Sequence, residues 1–267
     1  MLKLLQGADA VVAQAAAKLV EMQTASLRTE RKEHLDVVTE ADLAAEEIVV
    51  QGLMRLTPEA SILAEERGAV GDAGGARWII DPLDGTVNYA TGLPWFSVTV
   101  AYEAQGEVQL GLVNAPKAGV QARYVRGVLA TINDVPAKVT QTCSLSDAVI
   151  SVCLTSHFSE DEIRRTVAII DRLGRVARGV RVVVSGGLEL SLVAAGRLDA
   201  FVSIKADVVS HATGIQLVRA GGGRVSRLDG GDSSVEDLEK LASNGLIHDE
   251  LLAQLREVAR PAGEHSR

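Results

Sequence analysis

The stretch RWIIDPLDGTVNYATG, residues 77–92, decides the interpretation of the whole chain. Its apolar run ends in Asp81, and Asp84, Gly85 and Thr86 follow at once. A short apolar run bounded by turn residues predicts a buried strand whose end carries two acids. Glycine followed by threonine suits a turn that approaches an anion closely. The structural alternative is a local turn in which Asp84 or Thr86 only caps the chain.

Two further acids occur where other elements are predicted to begin or end. Glu65 follows a predicted strand in ASILAEERG, and Asp42 lies in the first turn of a predicted helix in TEADLAAEE. Neighbouring strands lie about 5 Å apart, so Glu65 and Asp81 share one pocket if their strands pair. Clustered carboxylates repel unless a cation lies among them, and hard oxygen ligands favour Mg²⁺. Two such ions about 4 Å apart can hold the attacking and leaving oxygens of a phosphoryl displacement.

The composition argues against nucleic-acid and membrane functions. The 267 residues include 27 basic and 35 acidic side chains, for a net charge of −8, and only 3% are aromatic. Nucleic-acid binding needs clustered cations and stacking rings, so no nucleic-acid partner is expected. Neither a leader peptide nor an apolar run of membrane-spanning length is recognisable, which predicts a cytoplasmic protein. Both cysteines, Cys143 and Cys153, are expected to be buried free thiols.

The order of predicted elements indicates an α/β fold of two subdomains. A helix is predicted from Leu4 to about Leu27, followed by a polar connection, LRTERKEHLDVV, and by a second helix that Thr39 can cap. Short strands and one long hairpin in WFSVTVAYEAQGEVQLGLVNAP fill the region up to about residue 140, and helices alternate with strands beyond it. We therefore predict a metal and phosphate subdomain at 1–140 and a subdomain at 141–267 that completes the cleft, with a loose C-terminal tail.

Several stretches together resemble one enzyme family. WIIDPLDGTVNYATGLPWFSVTVA is similar to the signature of the inositol monophosphatase family, which comprises lithium-sensitive, Mg²⁺-dependent phosphatases. LDVVTEADLAAEE, ILAEERG, GLELSLVAAGRLDAFV and SHATGIQLVRAGGG resemble further elements of that family, so the resemblance covers nearly the whole chain. It implies a layered αβαβα sandwich, the inositol monophosphatase or sugar phosphatase fold, and a homodimer.

The resemblance also implies roles for particular residues. The first metal ion is expected on Glu65, Asp81 and the backbone carbonyl of Leu83, the second on Asp81 and Asp84, and a third near Asp42 through water. Glu65 and Thr86 are expected to position the attacking water, with Asp42 also counted among the catalytic residues. The phosphate is expected at Asp84, Gly85 and Thr86. The implied cofactor is two or three Mg²⁺ ions, with Mn²⁺ as a substitute.

The C-terminal part departs from the family pattern on the substrate side of the cleft. Ser210 stands where the resemblance places the last metal-binding Asp, and Ser203 where it places an acidic substrate contact. Either the second metal is weakened, or Asp207 replaces the missing acid, or catalysis has given way to ligand or partner binding. Each of these residues also has a purely structural interpretation: Asp207 as a loop acid, Ser210 as a helix N-cap and His211 as a polar surface residue. The structural interpretation is favoured for Asp207 and for His211. Gly186 completes the expected substrate side.

These observations predict a metal-dependent phosphomonoesterase that hydrolyses a small sugar, polyol (inositol-like) or nucleoside phosphate with metal-activated water. The alternative is a catalytically impaired binding or regulatory protein on the same fold, because of Ser210. A bisphosphatase would need added cations, for which Arg178, Arg181 and Lys205 are candidates.

Overall fold

The computed structural model describes residues 1–24, 29–32, 36–71 and 75–259. Within these ranges the helices are α1 (Leu2–Gln23), α2 (Glu40–Leu56), α3 (Thr86–Ala90), α4 (Glu160–Val176), α5 (Gly186–Ala194), α6 (Val208–Ala220) and α7 (His248–Ala259). The strands are β1 (Thr29–Lys32), β2 (Asp36–Thr39), β3 (Ser61–Ala64), β4 (Gly68–Val70), β5 (Arg77–Asp84), β6 (Ser97–Ala104), β7 (Glu107–Ala115), β8 (Val120–Val125), β9 (Leu129–Ile132), β10 (Val135–Pro136), β11 (Val149–Val152), β12 (Gly179–Arg181), β13 (Ala200–Ser203), β14 (Arg224–Ser226) and β15 (Lys240–Ser243).

The larger sheet has eight strands in the order β10-β9-β8-β7-β6-β5-β3-β4. Its one parallel pair is β3 with β5, in which Ala64 lies opposite Ile80. The next residues along these strands are Glu65 and Asp81, and parallel strands end at the same edge of a sheet. The pairing on which the shared acidic pocket depended is therefore present.

The smaller sheet has five strands in the order β12-β11-β13-β15-β14. Strands β12, β11 and β13 are parallel, while β15 and β14 run antiparallel. Strand β13 ends at Ser203, and a short loop leads from it to Asp207 and α6. The carboxyl ends of parallel strands are where α/β sheets bind ligands.

Helices cover both faces of each sheet. Helices α1 and α2 pack on one face of the larger sheet, α5 and α6 lie between the two sheets, and α4 and α7 pack together on the far side of the smaller one. Strand β5 is apolar on both faces, which requires helices on both sides. Trp78 and Ile80 join the core under α1 and α2, while Ile79 joins the core around α5 and α6. The predicted αβαβα sandwich is thus confirmed, and residue 140 falls between the last strand of the larger sheet and the first of the smaller.

Some local predictions were wrong. The polar connection before α2 contains the hairpin β1–β2, which was not predicted. Thr39, the expected cap, is the last residue of β2 and directly precedes α2. Cys143 is exposed, whereas Cys153 is buried as expected, and both thiols are free. The predicted end of the first helix near Leu27 and the tail at 260–267 lie outside the described residues. None of the helices in the described ranges has the length and apolar character that a membrane span requires.

Candidate active site

The acids at the ends of β3 and β5 form the negative centre of the cleft. Protein packed around its carboxylate, and then the charges of Asp207 and Asp42, raise the pKa of Glu65 to about 8. The side chain of Glu65 still reaches solvent at the mouth of the cleft, so water screens part of this repulsion. Asp42, in the first turn of α2, is only 2% exposed. Four acids therefore influence one another here, with Asp81 as the fourth.

Asp81, like Asp42, is almost completely buried. It is 2% exposed, and burial, followed by the charges of Glu65 and Asp84, raises its pKa well above the ordinary value. Its Oδ1 accepts a hydrogen bond from the backbone N–H of Leu83 at 3.1 Å. Its Oδ2 accepts one from the Ser210 hydroxyl at 2.7 Å. Ser210 is thus brought directly onto the predicted metal ligand, from the first turn of α6.

Four hydrogen-bond donors converge on Asp84. Its Oδ1 accepts from the Gly186 N–H at 3.0 Å, and its Oδ2 accepts from the Gly187 N–H at 2.9 Å. The hydroxyls of Ser185 and Ser97 donate to the same Oδ2 at 2.7 and 2.8 Å. Burial raises the pKa of Asp84, and these donors oppose the rise. The carboxylate therefore lies at the beginning of α5, where free N–H groups and the helix dipole favour a negative charge.

The turn after Asp84 places backbone N–H groups beside the acids. Gly85 has a φ of +91°, and a Cβ at this position would lie 2.7 Å from the Trp95 carbonyl oxygen, so only glycine fits. The Thr86 hydroxyl donates to the carbonyl oxygen of Leu83 at 3.0 Å. The predicted water-positioning hydroxyl is hence in direct contact with a predicted metal-binding carbonyl.

The residues predicted for the substrate side differ in their accessibility. Asp207 is exposed at the cleft and is the N-cap of α6, where its Oδ1 accepts from the Val209 N–H at 3.0 Å. The cap is therefore Asp207, and the interpretation of Ser210 as the N-cap was wrong. Ser203 is fully buried, and its hydroxyl accepts from the N–H of Lys205 at 3.2 Å.

His211 is buried, so its interpretation as a surface residue was wrong. It is 3% exposed, its ring packs edge-on against Phe201 with centroids 5.3 Å apart, and its Nδ1 has no hydrogen-bond partner. Burial, and then the charge of Lys240, lower the pKa of His211 to about 3, so the ring is neutral. A Cβ on Gly186 would lie 2.2 Å from the His211 Nε2, so these two residues from α5 and α6 are in contact.

The donor set suits a hard divalent cation. Carboxylate oxygens on Glu65 and Asp81, and the backbone carbonyl of Leu83, are the ligand types that Mg²⁺ prefers. A cation between Glu65 and Asp81 would oppose the rise in their pKa values, because it favours the ionised carboxylates. Within the described part of the chain, no three acidic, histidine or cysteine side chains are already spaced as a closed metal cage.

Sequence similarity agrees with this geometry. A family model described as the inositol monophosphatase family matches residues 1–260. The chain belongs to the inositol monophosphatase family. Membership makes it an enzyme that hydrolyses phosphomonoesters, in a family that generally depends on metal ions.

Individual members of the family are similar over most of their length. A protein of Thermotoga maritima named fructose-1,6-bisphosphatase/inositol-1-monophosphatase is 34% identical over 85% of this chain and 86% of its own length. A Nus factor SuhB of Pasteurella multocida is 33% identical over 86% of both chains. The solved structure of a Thermotoga maritima IMPase superposes with a TM-score of 0.87 at 32% identity, covering 97% of this chain and 98% of the other.

Sequence reasoning missed three of the four residues that hold Asp84, and it placed the fourth, Gly186, on the substrate side. Ser97 lies directly opposite Asp84 in the register of β5 and β6. It belongs to the first strand of the predicted hairpin, so pairing that strand with β5 would have placed Ser97 beside Asp84. Ser185 and Gly187 belong to a Ser-Gly-Gly triplet at the beginning of an apolar helix, a pattern that is typical of a helix N-terminus with free N–H groups.

Proposed function

We propose that this protein is a Mg²⁺-dependent phosphomonoesterase acting on a small sugar, polyol or nucleoside phosphate. One observation carries the proposal: Glu65 and Asp81 directly follow Ala64 and Ile80, the last paired residues of two parallel strands, and the second of these strands ends at Asp84, directly before the Gly85–Thr86 turn. The carboxylates supply metal ligands, and the turn supplies N–H groups for a phosphate. Two or three ions are expected from the family resemblance.

Residues of this chain would divide the work as follows. Glu65, Asp81 and the Leu83 carbonyl hold the first ion, Asp84 contributes to a second, and Asp42 serves a third through water. Bound Mg²⁺ would neutralise the phosphate and lower the pKa of the attacking water.

The protein groups around the phosphate orient the reaction. Glu65 and the Thr86 hydroxyl position the attacking water, since Thr86 is already fixed on Leu83. The N–H groups of Gly85 and Thr86, beside Asp84, hold the phosphate oxygens in line.

Phosphate release from a panel of sugar, polyol and nucleoside monophosphates tests this proposal directly. We expect turnover by the unmodified protein with Mg²⁺ or Mn²⁺, and at least about a hundredfold loss in Glu65→Gln. Ser210→Asp, with Ser210→Ala as its matched control, tests the missing acid in the same assay. Turnover that appears only in Ser210→Asp contradicts the proposal for the natural chain.

A second candidate is a binding or regulatory protein on the same fold. Two observations favour it. The neutral Ser210 hydroxyl donates a hydrogen bond to Asp81 at the position where the family resemblance places a metal-binding acid, and the similar Pasteurella multocida protein is named a Nus factor. This candidate predicts ligand or partner binding, with no turnover on any substrate or divalent ion.

A homodimer in the cytoplasm completes the proposal. The Asn88 side chain on α3 donates a hydrogen bond to the Val183 carbonyl oxygen, so α3 lies against the chain before α5. Near this contact, four apolar side chains are each at least 40% exposed: Val87, Leu93, Trp95 and Val182. A second copy of the chain would cover such a surface. Light scattering on the purified protein distinguishes a monomer from a dimer.

A further inference from the structure

Glu189 is a fully buried carboxylate that none of the steps above uses. It lies in the first turn of α5, where its carboxylate accepts hydrogen bonds from the Ser151 hydroxyl and, at 3.0 Å, from the Ser185 N–H. The Val183 backbone amide also stabilises its ionised form. An acid is retained in such a place only where donors offset its burial, so the role of Glu189 concerns the turn that supplies them.

That turn is strained at Val184. Its φ is +60°, in the left-handed region, which a β-branched side chain adopts only when its surroundings impose it. The other described non-glycine residues with positive φ are Gln105, Asn133 and Asp134, and none of them is β-branched. Strain of this kind persists only where hydrogen bonds on both sides fix the backbone.

Both sides of the turn are fixed. On the outer side, the Asn88 side-chain amide donates to the carbonyl oxygens of Val183 at 2.7 Å and Val184 at 3.3 Å. On the inner side, Glu189 accepts from the Ser185 N–H. Ser185, Gly186 and Gly187 then direct donors at Asp84.

We propose that Glu189 is a positioning residue, which holds the strained turn at Val184 so that the beginning of α5 keeps Asp84 in place. The effect of Glu189 on the backbone of this turn is independent of the proposed phosphatase activity. Its kinetic effect rests on that activity, because a displaced Asp84 binds the metal less well. The two effects are therefore measured separately.

Hydrogen–deuterium exchange of the full chain tests the backbone effect. Glutamine at position 189 keeps the shape but turns an N–H₂ group toward at least one of these donors, so Glu189→Gln should speed exchange of amides 183–187 about tenfold or more. Glu103→Gln, which breaks a partly buried ion pair with Arg77 (3.0 Å), is the matched control and should leave these amides unchanged. Unchanged exchange in Glu189→Gln overturns the proposal. If that variant does not fold, Ser151→Ala removes one donor to Glu189 and is judged by the same criterion.

Rescue separates positioning from general destabilisation. Glycine adopts a φ of +60° without strain, so Val184→Gly added to Glu189→Gln should restore slow exchange. On the substrate identified by the phosphate panel, Glu189→Gln should raise the Mg²⁺ concentration for half-maximal activity about tenfold and leave KM for the substrate unchanged, and the double variant should reverse this. A rise in KM alone, or failure of Val184→Gly to restore either property, overturns the proposal. A natural chain that shows no turnover refutes the phosphatase function and leaves the exchange experiment as the test of Glu189.

Discussion

At the scale of single residues, Asp84 is a structural anchor as well as a predicted metal ligand. Asp84→Asn places an N–H₂ group against donors from Ser185, Gly186 and Gly187, so at least one buried donor loses its acceptor. We expect a loss of about 2–3 kcal/mol in the free energy of unfolding, or about 5–10 °C in Tm, besides the loss of activity. Thermal unfolding measures it. Asp207→Asn is the matched control, because asparagine also caps helices well and should leave Tm nearly unchanged. Equal melting of Asp84→Asn and the natural protein contradicts the anchoring.

Glu65 should behave in the opposite way. No described hydrogen-bond network of the Asp84 kind surrounds it, and the neighbouring acids Asp207 and Asp42 repel its charge. Glu65→Gln removes that repulsion, so we expect activity to fall at least about a hundredfold while the metal-free Tm stays the same or rises. Activity assays and thermal unfolding in a chelator test the two halves. A lower Tm in this variant would show that Glu65 is structurally required.

How far the sequence predicts this site depends on how local each contact is. Glu65 and Asp81 could be predicted because the strands before them are short apolar runs whose pairing aligns their ends. Burial of His211 could not, because a histidine in the first turn of a helix is commonly exposed and only the packing of α6 between two sheets removes it from water. Ser185 joins Asp84 across 101 positions of sequence, and no spacing rule reaches that far.

At the scale of elements, the contact between α5 and α6 depends on the absence of a side chain at Gly186. A Cβ there would lie 2.2 Å from the His211 ring, which has little room to move between α5 and Phe201. Alanine is otherwise the better helix former. We therefore expect Gly186→Ala to lower the free energy of unfolding by about 1–3 kcal/mol, measured by denaturant unfolding.

A double-mutant cycle identifies the cause of that loss. His211→Ala alone leaves a cavity, but in combination with Gly186→Ala the new methyl group has space. The two changes should therefore be markedly less destabilising together than the two single effects predict, by about 1 kcal/mol or more. Additive effects would mean that the glycine is needed for its backbone, rather than for contact with His211.

The predictability of elements follows the strength of their patterns. The hairpin of β6 and β7 was confirmed, because its strands alternate apolar and polar residues around a tight turn. The hairpin of β1 and β2 was missed, since its strands, TERK and DVVT, carry little apolar alternation.

At the scale of the whole molecule, one layer organises the active site. Helices α5 and α6 lie between the sheets, and each sends its first turn toward the strand that carries Asp81 and Asp84. Hydroxyls reinforce the packing: Thr99 donates to the Val209 carbonyl oxygen at 2.9 Å, and Thr213 to that of Val100 at 2.7 Å. The alternation of helices and strands predicted the layers. The contacts of α6 with β6 could not be predicted from it, because they arise only when both sheets have formed.

The buried acids make the stability of the whole metal-free protein depend on pH. Burial raises the pKa of Glu189 to about 7 and contributes to a pKa of about 8 for Glu65, against ordinary values near 4.5. A raised folded-state pKa favours folding fully below pH 4.5, and this contribution is lost as pH rises through 7 and 8. The acids with lowered pKa values, such as Asp171 and Asp237, titrate below this window and do not offset the loss.

In a chelator we therefore expect Tm to fall by about 5–10 °C between pH 5 and pH 8, corresponding to about 3 kcal/mol from Glu189. Mg²⁺ should raise Tm more at pH 8 than at pH 5, because it binds the ionised form of Glu65 and its neighbours. Thermal unfolding at both pH values, with and without Mg²⁺, measures both effects. The combined Glu65→Gln and Glu189→Gln variant should make the metal-free Tm fall less between these pH values, while Asp81 and Asp84, whose pKa values are also raised, still contribute. A Tm that rises between pH 5 and pH 8 in the chelator would mean that these acids are ionised in the folded protein without a cation, and that the acidic centre needs no metal to balance its charge.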